Sequence, residues 1–90
     1  MSNFKIFTVA GGFYFFGEEI AAPEGYIAMR NGAMFGGFSG NKGVAGVARG
    51  AAGATVILDK IEGECVFPLS AVYAVFDCID LTKFKGATWR

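Results

Sequence analysis

The chain has 90 residues, enough for one domain that buries roughly two thirds of the surface its unfolded form exposes. Apolar residues make up 53% and charged residues 18%, against about 45–50% and about 25% in average globular domains, which excludes intrinsic disorder. Eight Lys and Arg balance eight Asp and Glu, and His is absent, so the commonest general base and metal ligand and the overall basic field of a nucleic-acid binder are missing.

Ten Phe, seven Val and six Ile stand against three Leu. β-Branched and aromatic side chains suit a pleated surface, whereas helical cores lean on Leu, so the chain reads as mainly β. Residues 3–9 alternate as a strand and stop at Gly11-Gly12. Residues 13–20 follow as a second strand, aromatic on both parities, so neither face meets only water. Pro23-Glu24-Gly25 is a turn, because Pro presets φ and Gly supplies a positive one. A third strand covers residues 26–35, with Asn31-Gly32 inside it as a tight turn or, equally, a bulge, since apolar residues resume at once.

Residues 32–53 are the compositional outlier, with eight Gly and five Ala. They predict a long loop that holds a short helix near residues 42–48, although Gly43 and Gly46 each cost about 1 kcal/mol there relative to Ala. Loops of this length in small domains are usually functional. Strand signals return at residues 54–59, 64–67 and 71–80, interrupted by Pro68-Leu69-Ser70. Residues 81–84 read as a turn of helix and residues 85–90 as a loose tail. The expectation is a single domain over residues 1–90: a small, strongly bent, five- to six-stranded antiparallel barrel.

Charge-free runs reach 12 residues, short of the ~20 a membrane-spanning helix needs, and residues 1–5 lead into no secretory h-region. A cytoplasmic protein with no membrane partner is expected. Cys65 and Cys78 read as small buried side chains on strands rather than a disulfide framework or a zinc site.

Few residues point to chemistry. GGFSGNKG at residues 36–43 fails the phosphate-loop pattern twice, with Asn41 where the second Gly belongs and Gly43 after the Lys. Glycine still lets successive N–H groups converge on an anion, and Arg30, Lys42 and Arg49 stand in an acid-free stretch. Arg30, Phe38, Ser39, Asn41, Lys42 and Arg49 are therefore the candidate ligand-binding residues. No carboxylate pair converges, and a Ser or Cys nucleophile lacks a His base, so no catalytic residue, metal or cofactor is expected. Tyr14, Tyr26, Phe35, Phe38 and Tyr73, with Arg30 and Lys42, are the residues that would stack on single-stranded RNA.

Two resemblances are carried by particular residues. The segment from Val66 through Pro68-Leu69-Ser70 to Val75 resembles the strand, 3₁₀ turn and strand that close Sm-like barrels of the SH3 type. More broadly, Phe15-Phe16-Gly17-Glu18, Asn31, Ala33, Gly43, Ala48, Thr55, Leu58, Asp59 and Pro68 resemble small uncharacterised phage and prophage proteins. Where those carry a Trp-Gly pair and a Gly-Leu step, this chain has Phe38-Ser39 and Gly43-Val44.

Strands apolar on both faces predict a cyclic or dihedral homo-oligomer, with edge strands paired between copies. Three functions compete. The first is a non-enzymatic phage-type oligomer, an anti-defence protein that sequesters a small anionic ligand such as a cyclic nucleotide signal in the bacterial host cytoplasm. The alternatives are an Sm-like ring that binds single-stranded RNA and a structural or host-protein interaction module.

Overall fold

Period-2 alternation broken by Gly and Pro divides the chain into short strands, and the computed structural model describes residues 3–40 and 42–90. In order these are β1 Phe4–Val9, β2 Phe13–Ile20, β3 Tyr26–Ser39, α1 Gly43–Arg49, β4 Thr55–Lys60, β5 Glu64–Pro68, a 3₁₀ turn Leu69–Ala71, β6 Val72–Asp77 and β7 Ala87–Trp89. The strands form one mixed sheet in the order β6-β1-β2-β3-β4-β7, with β5 beside β3 and off this path.

β3 organises the sheet. One edge pairs with β2. The other is shared, since Tyr26 to Arg30 pair with β5 and Ala33 to Ser39 pair with β4. Asn31 and Gly32 lie where β3 passes from one partner to the other. Asn31 has φ 53°, the one positive φ outside glycine among the described residues. Asn is among the few residues that tolerate this left-handed backbone. Gly32 has no alternative: a Cβ there would lie 2.2 Å from the Phe16 carbonyl oxygen and 2.9 Å from Met29 Cε. The sequence therefore makes a bulge at Asn31-Gly32, and β3 continues through it.

Both faces of the sheet are apolar, as the two-parity pattern predicts. On one, Ile6, Phe16, Ala33, Val56 and Leu58 pack under Val47 and Ala48 of α1 and under Cys78 and Leu81. On the other, Phe67 lies against Phe7 and Phe15, with ring centroids 6.0 and 4.9 Å away. The chain covers its own first face, so that face needs no second copy. Apolar surface nevertheless stays open along β5, the 3₁₀ turn and β6, where Val66 is 53%, Leu69 51%, Tyr73 72% and Val75 42% exposed.

Several expectations change. Residues 36–39 are strand, not loop, because Phe38 and Ser39 find partners in Val56 and Thr55. The excursion reduces to α1 and its flanking turns. Gly50, at φ 66°, caps α1 with its N–H directed to the carbonyls of Gly46 and Val47. Residues 81–84 form turns, not helix, and the supposed tail holds β7, parallel to β4 through Val56↔Ala87 and Leu58↔Trp89. That parallel pair makes the sheet mixed rather than antiparallel. Among the described residues it has seven strands, not five or six, and its hydrogen-bonded path is not closed. Among the described residues, no helix is long and apolar enough to cross a membrane.

Candidate functional site

Of the residues singled out for ligand binding, those described are spread over β3 and the two ends of α1. Arg30 lies on β3 and pairs through Nε with Glu18 Oε1 at 3.3 Å. Ser39 ends the same strand, beyond two shifts in its register, with its Oγ 2.6 Å from Thr55 Oγ1. Phe38 joins Tyr14 and Phe35 in an aromatic trio, its ring centroid 5.4 and 5.9 Å from theirs. Lys42 and Arg49 are exposed at opposite ends of α1, about 10 Å apart along its axis. Asn41 lies outside the described residues.

A different place is concave. Where β3 changes partner, a notch of about 410 Å³ opens, lined by Asn31, Gly32, Lys60, Thr82 and Trp89. Its position follows from register. Lys60 pairs with Ala33 and Leu58 with Trp89, so Lys60 stands two residues beyond buried Leu58 on the face that carries the main core. The core ends there, and its rim becomes polar.

Each lining group is held. Trp89 donates its Nε1–H to the Leu81 carbonyl at 3.1 Å and sets its ring edge-on to Phe16. Thr82 donates its backbone N–H and its hydroxyl to Asp80 Oδ1, at 3.0 and 2.6 Å. Gly32 accepts from Ile61 N–H at 2.9 Å. The Asn31 amide donates to Glu18 Oε1 at 3.4 Å. Lys60 is the least constrained: its Nζ is 4.0 Å from Glu62 Oε1, with both side chains largely exposed, a geometry that neutralises little charge. The lining thus combines one cation, one amide, one hydroxyl and one indole, without a carboxylate.

Neither thiol is part of the notch's lining. Burial raises the Cys65 thiol, and desolvation with the nearby Asp80 carboxylate pushes Cys78 from the ordinary 9.0 to about 12. Both stay protonated at neutral pH, unsuited to nucleophilic work. Among the described residues, no group of three His, Cys, Asp or Glu side chains gathers to hold a metal.

Sequence reasoning missed Lys60, Thr82 and Trp89 because only the folded chain, through the register of β4 and β7 and the turn at Thr82, brings them to Asn31. Two signals were present: the Asn-Gly pair read as a possible bulge, and the chain's single Trp. Compared with protein-family models, curated proteins and solved structures, the chain matches none.

Proposed function

We propose that this protein is a non-enzymatic binding protein that holds a small, ring-bearing anion, of which a nucleotide is the type, in the notch at the bend of β3. The carrying observation is the lining itself: an indole beside a weakly paired ammonium and an amide, in a cavity within the 300–1,000 Å³ or so usual for small ligands. Indole binds a planar ring by stacking, and the ammonium binds a phosphate as a point charge.

Association of copies through the exposed apolar residues of β5 and β6 is part of the proposal, supported by that exposure and, among the described residues, by the outer edges of both strands, which pair with no other strand. An Sm-like, strongly bent barrel is the fold reading that goes with it. The 3₁₀ turn between β5 and β6, and the pairing of these strands with β3 and β1, support it. An anti-defence role rests on the sequence resemblance to phage proteins.

A nucleotide panel with thermal unfolding as readout tests the binding. A ligand at a hundred times its Kd adds about 2.7 kcal/mol of stability, and Lys60→Ala should weaken binding about tenfold or more. A panel in which no nucleotide raises the melting temperature overturns the reading. Single-stranded RNA is the second reading, favoured by the Tyr14, Phe35 and Phe38 trio, whose outer member Phe38 is exposed. It requires an affinity that falls steeply with salt.

A further inference from the structure

We infer that two copies of this chain join through the outer edge of β6, antiparallel about a two-fold axis at Val75, so that one sheet runs through both. The inference rests on the association of copies proposed above and narrows it to one strand and one register.

Backbone direction identifies the free groups. Cys78 N–H donates to the Phe4 carbonyl, and β1 keeps that register along β6 from Lys5↔Asp77 to Thr8↔Ala74. Bonded residues alternate in an antiparallel ladder, so Ala74 and Phe76 turn their N–H and C=O toward β1. Val75 therefore turns both of its groups outward, and Asp77 its N–H. The register shifts beyond Thr8, where Tyr73 is left without a partner on β1. Its carbonyl still points outward, because the peptide bond is trans and the Ala74 N–H on its other side points inward. Tyr73, Val75 and Asp77 are also exposed, and among the described residues no strand lies beyond them.

A second β6 is the complement of this edge. With Val75 on the axis, the two Val75 residues exchange both bonds, and each Asp77 N–H meets the carbonyl of the partner's Tyr73. Ala74 falls opposite the partner's Phe76, a small side chain against a large one. Tyr73 falls opposite the partner's Asp77, whose charge Lys5 already takes up, so no like charges face each other. The edge of β5 is the poorer partner. Leu69 N–H donates to the Gly25 carbonyl, so by the same alternation Glu64, Val66 and Pro68 face outward. Pro68 has no N–H and Glu64 brings a charge, two devices that blunt an edge. Laying β5 on β6 with Val66 opposite Val75 would also set Glu64 against Asp77.

Cross-linking and mass together test the register. Val75→Cys, in a chain that also carries Cys65→Ser, places two thiols across the axis at a Cα separation of about 5.5 Å, which a disulfide spans. Mild oxidation is expected to link that variant into a dimer, while Tyr73→Cys and Val66→Cys in the same background stay unlinked. Light scattering on the native chain is expected to give twice the 9.5 kDa monomer mass. Val75→Pro removes an outward N–H without touching the ladder to β1, and should raise the dimer dissociation constant about tenfold or more. Should Val75→Pro not fold, Val75→Lys, which sets two cations on the axis, is expected to dissociate the dimer instead. Val66→Lys should leave it intact. A larger ring, or a dimer that Val75→Cys fails to link, overturns the β6 pairing and leaves association standing. A native chain that stays monomeric overturns both.

Discussion

Single positions in this molecule are constrained more by what surrounds the backbone than by hydrophobicity. Gly32 is the sharpest case: with the Phe16 carbonyl oxygen 2.2 Å from where a Cβ would sit, Gly32→Ala must push β2 and β3 apart. Overpacking of this kind costs about 1–3 kcal/mol, and urea denaturation should show a lower midpoint with an unchanged slope. Phe16, fully buried where both Ile6 and Ala33 pair with it, should lose about 3–5 kcal/mol on change to Ala. Cys78 makes stability depend on pH. Its folded thiol titrates near 12, above the ordinary 9.0, so its contribution is complete below pH 9 and fades as pH rises toward 12. Over that window unfolding releases a proton, at about 1.4 kcal/mol per pH unit. Denaturation curves at pH 8 and pH 10.5 should separate for the native chain more than for Cys78→Ala, and equal separation would contradict the assignment.

Among the elements, β7 matters out of proportion to its length. Its three residues pair with Val56, Ile57 and Leu58, and Trp89 closes the core over Phe16. Arg90 adds a two-pronged contact to Asp59, with N to O distances of 2.9 and 3.1 Å. Ending the chain after Phe84 is therefore expected to abolish cooperative unfolding in calorimetry, although the sequence marks these residues as a tail. Nothing in Gly86-Ala87-Thr88-Trp89 is long or periodic enough to announce a strand. A parallel partner reached by a crossover leaves no turn signal beside it. The meander was legible because Phe, Val and Ile alternate between clear Gly and Pro breaks. The break between β5 and β6 was legible because Pro68-Leu69-Ser70 interrupts two strand runs, and its 3₁₀ form was implied only by the Sm-like resemblance. Residues 36–39 were not legible, since Gly36 and Gly37 look like loop residues until Ile57 is laid beside Gly37 and Gly36 falls at a shift in register. The same holds for the site. Asn31-Gly32 could be read as a bulge, but Lys60 and Trp89 reach it through strand register, which composition does not encode.

For the molecule as a whole, the radius of gyration of 12.2 Å equals the roughly 12 Å expected of a compact chain of this length. The main core is covered by the chain's own α1, Cys78 and Leu81, and the association proposed above would use the exposed residues of β5 and β6. Light scattering on the native chain should report a mass above the 9.5 kDa monomer at micromolar concentration. Replacing exposed Val66 and Tyr73 with Lys should return it to monomer without lowering the melting temperature of the subunit. A native chain that stays monomeric removes association from the proposal. The sheet order also has a consequence in time. Lys5 of β1 is joined to Asp77 of β6 across 72 positions, and Arg90 to Asp59 across 31. During synthesis β1 acquires β2 at once, but its outer edge waits for β6, with β3, α1, β4 and β5 made in between, and β4 waits for β7 in turn, though over a shorter stretch of chain. A nascent chain must therefore carry two unfilled strand edges, beside Phe7 and Ile57, until β6 and then β7 have emerged. That interval, rather than the finished fold, is when neighbouring nascent chains are most able to pair with one another by mistake.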